Sequence, residues 1–289
     1  MAAITVDKVA QQRNPRGAIV AKQVALYVAM TIFGLIMLGP FILAIFGAFK
    51  TDVDVTSYPP TLFPKTWHPE NFLNVAKLFP MFPRWFVNSI GLSTAVTVLN
   101  VFFCALAGYA FARLRFPARN VLFLAVLATL MIPLQVTLIP KFLIMKQLGL
   151  INTYPGVILP NVSTAAGIFL MTQFMKAIPN ELEEAAVIDG ASKWTVFRRV
   201  ILPLSAPALT ALAIFSFQGQ WNDFLWPLVI LNDPSLFTLP LGIAGFGTQY
   251  VAHTNWVLVG SIFTTIPMVL LVFFFQRYII KSVATTGGK

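Results

Sequence analysis

Six stretches of about 20 or more residues carry almost no Asp, Glu, Lys or Arg, and each is long enough at 1.5 Å per residue to cross roughly 30 Å of hydrocarbon. They are Val24 to Phe49, Trp85 to Ala112, Asn120 to Pro140 (continuing past Lys141 to Met145), Tyr154 to Met175, Ser205 to Ile230 and Trp256 to Gln276. The 26 residues from Val24 to Phe49 exceed the h-region of a signal peptide, so the first run reads as a retained anchor. Of the 289 residues 57% are hydrophobic and only 10% charged, against about 25% charged in an ordinary soluble domain. The bilayer is therefore the main solvent, and the expected fold is an all-α membrane protein of six transmembrane helices.

The net charge of +10 would suggest nucleic acid as a partner in a soluble chain, but here the cations sort by side. Lys8, Arg13, Arg16, Lys22, Arg113, Arg115, Arg119, Lys176, Lys193, Arg198, Arg199, Arg277, Lys281 and Lys289 fall on the side of the termini; Lys50, Lys65, Lys77, Arg84, Lys141 and Lys146 fall on the other. This 14 to 6 split makes both termini cytoplasmic, with lipid and not nucleic acid as the general partner. The domain reading is a cytoplasmic tail over 1–23, a six-helix transmembrane domain over 24–276 and a cytoplasmic tail over 277–289.

Two segments on the far side, Thr51 to Arg84 and Leu231 to Asn255, are rich in Pro and Gly and read as irregular caps. Cys104, Gly108 and Ala112 recur every four residues, placing small side chains on one face for close helix contact, so Cys104 reads as packing. Pro133, Pro140, Pro160 and Pro267 each interrupt the ladder of a spanning helix, which implies kinked helices around a path or simple packing kinks.

The most structured hydrophilic segment, 176–204, holds Glu181, Glu183, Glu184 and Asp189. Asn180 with Glu183 three residues later reads as a capped helix start, Gly190 as its left-handed stop, Ser192 as the N-cap of a second helix to about Ile201, and Pro203 and Pro207 as breaks before the fifth span. Two short capped helices make a rigid projection, with Leu182, Ala185, Ala186 and Asp189 sharing a small, nearly flat face. On the fifth span Gln218, Trp221, Asn222 and Leu225 share a face; two amides and an indole suit a sugar, or equally an interfacial Trp with amides bonded to neighbouring helices. Asp223 is the one intramembrane acid, open to a pairing, gating or interfacial role.

The run Glu184-Ala185-Ala186, then Asp189-Gly190-Ala191, then Leu202-Pro203 and Pro207, resembles the EAA motif of permease subunits of bacterial ABC importers. WNDFLWPL at Trp221 to Leu228, QRYIIKSVATTGGK at Gln276 to Lys289 and PENF at Pro69 to Phe72 resemble the carbohydrate branch, the maltose or multiple-sugar type. The resemblance covers most of the chain, and departs from it at Thr285, Thr286 and Gly287. It implies a type I ABC importer permease fold with coupling helices that dock on a cytoplasmic ATPase through Glu184, Ala185, Ala186, Asp189, Gly190, Leu202 and Pro203. It further implies a second homologous permease subunit as heterodimer partner, a dimer of ATPase subunits carrying ATP and Mg, an extracytoplasmic sugar-binding protein, and a bacterial plasma membrane location.

Gly287, Gly288 and Lys289 do not form a Walker A loop, so no ATP site is expected in this chain. With His68 and His253 as the only histidines and one cysteine, no metal site and no catalytic residues are expected either. The competing readings are a permease for a non-sugar solute, an ion-coupled secondary transporter, for which Asp223 alone is thin support, and a membrane scaffold or enzyme.

Overall fold

The computed structural model describes residues 15–245 and 254–287, with side chains described over 19–245 and 254–275. The first 14 residues of the expected cytoplasmic tail, Gly247 and His253 of the second cap, Gly288 and Lys289 lie outside the described residues; so do the side chains of the Gln276 block. Among the described residues there is no strand.

Fifteen α-helices follow in order among the described residues: α1 (Pro15–Ala48), α2 (Asp52–Val55), α3 (Asn71–Leu78), α4 (Phe82–Arg113), α5 (Arg119–Ala128), α6 (Leu134–Gln147), α7 (Tyr154–Ile158), α8 (Ala165–Ala177), α9 (Asn180–Ile188), α10 (Lys193–Val196), α11 (Leu202–Leu204), α12 (Ala206–Trp221), α13 (Leu225–Ile230), α14 (Leu239–Ala244) and α15 (Thr254–Gly287). Three helical runs are long and apolar enough to cross a membrane unbroken: Ile19–Ala48, Phe82–Arg113 and Thr254–Phe275. Three more spans are broken pairs, Arg119–Met131 with Leu134–Gln147 bent by 108°, Tyr154–Asn161 with Ala165–Ala177 by 42°, and Lys193–Leu204 with Ala206–Trp221 by 76°. Counting each pair as one span, six spans remain, half of them discontinuous.

The helices outrun the apolar segments. α1 begins at Pro15 rather than Val24 and α15 continues to Gly287 rather than ending at Gln276. Hydropathy marks where a helix meets lipid; the backbone ladder continues until a breaker or cap ends it, and Pro at the first position starts it readily. The fifth span differs in the other direction, ending at Trp221 and restarting at Leu225.

α4 is the central strut, packed along α8 and α12. At Gly108 a Cβ would stand 2.5 Å from Met171 Cβ, and at Gly167 a Cβ would stand 2.7 Å from Cys104 Sγ, so the small-residue stripe lets α4 and α8 approach almost backbone to backbone. Cys104 is a fully buried packing residue. Gly108→Ala is expected to wedge these helices apart at a cost of about 1–3 kcal/mol, read as a lowered midpoint of thermal unfolding for the detergent-purified protein; an unshifted midpoint would show that the helices are not seated this way.

The Pro-rich segment after α1 is ordered rather than wholly irregular. Asn71 Nδ2 donates to Ala48 O and Lys50 O, both at 2.9 Å, tying α3 to the end of α1, and the N–H of Thr254 donates to Asp52 Oδ1 at 2.7 Å. α1 meets the rest of the fold chiefly through α15, and most of its apolar length is exposed, a surface only lipid or another membrane chain can cover.

Candidate functional site: a helical elbow and a cavity between broken helices

The segment after α8 folds as an elbow. Pro179, not Asn180, occupies the cap position, and Asn180 is the first helical residue of α9. The expected capping pair does not form, because both side chains serve ionic partners: Arg113 Nη1 donates to Asn180 Oδ1, and Glu183 is buried between two cations. Lys193 Nζ donates to Glu183 Oε1 at 2.8 Å, and Arg113 Nε lies 3.8 Å from Glu183 Oε2. Arg113 Nη2 also donates to Met175 O at 2.8 Å and to Ile178 O, satisfying carbonyls left open at the end of α8. Arg113 therefore joins the ends of α4 and α8 to α9, while Glu183 joins α9 to α10.

The stop is built into the backbone. Gly190 has φ +82°, its N–H donates to Val187 O at 3.0 Å, and the N–H of Ala191 donates to Ala186 O at 2.9 Å, the two bonds of a Schellman motif. Ser192 Oγ then accepts from the N–H of Thr195 at 3.2 Å, capping α10. Leu182, Glu184, Ala185, Ile188 and Asp189 stay exposed at the tip, with Ile188 85% exposed, and Trp194 lies exposed on the second arm. Ala186 turns inward, against a core that includes Tyr109, Met175 and Phe197. It supports the elbow from behind instead of sharing the outer face with Leu182, Ala185 and Asp189.

The second arm does not break at Pro203. α10 runs into a wide π turn over Phe197–Ile201 and then α11, and the 76° bend falls at Ser205. A proline ring clashes with the carbonyl four residues earlier, and a π turn relieves that crowding without ending the helix. Leu202 packs into the elbow core and Pro203 is exposed.

The second feature is a cavity of about 590 Å³, within the range of small-molecule sites. Its wall includes residues at three helix breaks: Leu134 and Gln135 beside Pro133, Asn161 and Thr164 between α7 and α8, and Asp223 between α12 and α13, with Leu225 at the start of α13. Asp223 Oδ1 accepts from the N–H of Trp226 at 3.3 Å, so the acid starts α13 while lining the cavity. Lys141, also on the wall, holds its ammonium 5.0 Å from the Trp226 ring centroid.

The Gln218, Trp221, Asn222 face does not line this cavity. Trp221 is 1% exposed, stacks on Phe217 and donates from Nε1 to Thr264 O at 2.9 Å, which makes it a core residue joining α12 to α15. Gln218 on α12 and Asn222 just past its end are exposed, and Gly219 between them lines the cavity. The polar residues that the cavity gathers, Asn100, Asn161 and Gln220, come from three helical segments; their sole sequence signal was polarity within apolar runs. Among the described residues no group of His, Cys, Asp and Glu could hold a metal ion.

A family model described as binding-protein-dependent transport system inner membrane component matches residues 100–285. The chain is 38% identical to the arabinooligosaccharides transport system permease protein AraQ of Halalkalibacterium halodurans over 86% of this chain and 90% of that one. It is 32% identical to the diacetylchitobiose uptake system permease protein NgcG of Streptomyces coelicolor, covering 88% and 85%. Its fold is that of a chain in a crystal structure of a bacterial ABC transporter importing the acidic polysaccharide alginate, with TM-score 0.77, 24% identity and coverage of 89% and 96%.

Proposed function

The chain belongs to the family of binding-protein-dependent transport system inner membrane components, a multi-pass membrane transport subunit and not an enzyme, and from that premise we propose that it is one permease half of an ATP-driven importer for sugars. The cargo class is supported by relatives named for arabinooligosaccharides and diacetylchitobiose. The observation that carries the mechanism is the elbow: a stiff projection, closed by the Gly190 stop and the Ser192 cap, bound through Arg113 and Glu183 to the ends of two membrane-crossing helices.

In this reading Glu184, Ala185, Asp189 and Gly190 meet a separate ATPase dimer, with Ala186, Leu202 and Pro203 as the frame behind them. ATP and Mg reside on that ATPase, a second related permease completes the path, an extracytoplasmic protein delivers the sugar, and both termini are cytoplasmic. A ligand shifts a two-state equilibrium only by its differential affinity for the states. Nucleotide closing the ATPase dimer against the elbow supplies that difference, and the broken helices provide places where the path opens and shuts. Gln218 and Asn222 stand on the exposed face of α12, where the second permease would approach.

The importer purified by a tag on this chain, with its companions, and reconstituted in vesicles is expected to take up arabinotriose or N,N′-diacetylchitobiose only with ATP and the loaded binding protein present. A proton ionophore is expected to leave uptake unchanged. Uptake without ATP that collapses with the proton gradient would replace this reading with an ion-coupled transporter.

A further inference from the structure

The function above does not require this subunit to touch its cargo, since a path between two permeases can be lined by either. The cavity bears on that question. It is a half-open cavity lined by α4, α6, α8, α12, the start of α13 and the breaks between helices, and its wall is mostly apolar with a small set of polar groups. Gln220 is 7% exposed, and its Nε2 has no hydrogen-bond partner among the described residues. Its Oε1 accepts a long bond of 3.4 Å from Asn161 Nδ2, whose better bond goes to Val157 O at 3.1 Å. A buried amide donor left unmade costs about 1–3 kcal/mol, and helix breaks at membrane depth are tolerated where they line a polar cavity. An acyl chain filling the space would leave that donor and the Asp223 carboxylate facing hydrocarbon, the costly outcome in lipid.

The charge on the wall selects among ligands. Among the described residues Lys141 is its one cation and Asp223 its one anion, so their fixed charge sums to zero, and none of them is an Arg that could grip a phosphate or carboxylate. Carboxamides, a hydroxyl at Ser216 and one acid amid aliphatic walls match a neutral polyhydroxylated ring, which offers donors and acceptors together with apolar C–H faces. Resting on the sugar-import reading, the geometry points to a binding site for a neutral sugar unit within this subunit, held by Gln220, Asn161 and Asp223. Gln220 Nε2 donates to a sugar oxygen, Asp223 accepts from a sugar hydroxyl, and the aliphatic wall of Leu134, Leu138 and Leu212 covers the ring.

The test uses the complete reconstituted importer with arabinotriose, N,N′-diacetylchitobiose and, as an acidic probe, alginate pentasaccharide. Gln220→Leu is expected to slow uptake of the transported neutral sugar roughly tenfold, the scale of one buried hydrogen bond, while ATPase stimulation by the loaded binding protein stays at the wild-type level because the elbow is untouched. Gln220→Glu, isosteric but without the amide donor, guards against a packing defect and is expected to behave likewise. In a separate Ser216→Cys importer the transported sugar is expected to slow alkylation by N-ethylmaleimide and the alginate probe to leave it unchanged; Cys104 is fully buried and adds little background. Wild-type uptake by both Gln220 variants, alkylation indifferent to sugar, or protection by the acidic probe alone would each overturn the cavity assignment and leave sugar import standing. A wild-type importer that moves none of the three probes would overturn the sugar-import reading and this assignment with it.

Discussion

An importer carrying Gly190→Pro is expected to lose ATP-driven uptake altogether while its chain still inserts in the membrane. Gly190 sits at φ +82°, whereas proline is locked near −65° and has no N–H to give to Val187 O. Both Schellman bonds then fail, α9 loses its defined end, and the angle at which α10 leaves it is no longer fixed. Gly190→Ala retains the N–H and meets nothing within 4 Å of its Cβ, so it bears only the left-handed strain of about 1 kcal/mol and is expected to keep most activity. Asp189→Lys leaves the backbone alone and reverses the charge exposed at the tip, separating recognition of the ATPase from elbow geometry. The measurements are uptake and binding-protein-stimulated ATP hydrolysis in vesicles, with membrane fractionation for insertion. Wild-type transport in both Gly190→Pro and Asp189→Lys would remove the elbow from the coupling path.

The elbow was legible in the sequence because its chemistry is local. Gly190 and Ser192 announce a left-handed stop and an N-cap within three residues, and a local signal survives when tertiary context is unknown. Where that context intervened the reading failed: Asn180 and Glu183 form no capping pair because Arg113, from another helix, binds both. Ala186 could not be told from Ala185 by composition, since only the position of Tyr109 and Phe197 decides which alanine faces in. The three bends were foreshadowed by Pro133, Pro160 and the Pro203 and Pro207 pair, but the further break at Asn222 to Phe224 has no proline before Pro227. The cavity was illegible for the same reason as the Arg113 network. Asn100, Asn161 and Gln220 meet across helices, and no periodicity within one helix records that meeting.

Elbow and cavity are the two ends of the same struts. α8 starts at the cavity with Gly167 and ends at Met175, whose carbonyl Arg113 holds; its 13 residues span about 20 Å. α4 runs from Asn100 on the cavity wall to Arg113 itself, and α12 leaves the elbow at Ser205 to reach Gln220. On the proposed coupling, a displacement imposed on the elbow would be delivered to the cavity along three helices, with α4 and α8 closely packed at Gly108 and Gly167.

That mechanical account stands or falls on Arg113. Arg113→Ala is expected to uncouple the importer: ATP hydrolysis continues, because the tip of the elbow keeps its Gly190 stop, but sugar moved per ATP falls steeply because α9 is no longer bound to α4 and α8. The side chains of Arg113 and Glu183 are 6% and 10% exposed, and removing one partner of a buried pair costs about 3–5 kcal/mol by leaving the other charge stranded. Here Lys193 still neutralises Glu183, which places the expected cost at the low end of that range, with the two freed carbonyls of Met175 and Ile178 adding to it. Lys193 is 61% exposed, so Lys193→Ala is expected to cost no more than about 1 kcal/mol and to leave coupling nearly intact. In a double-mutant cycle Arg113→Ala and Glu183→Ala are expected to be non-additive in the sugar-to-ATP ratio, because either single change already removes the contact the two share. Strict additivity, or full coupling in Arg113→Ala, would mean that force leaves the elbow by the α10 to α12 route alone.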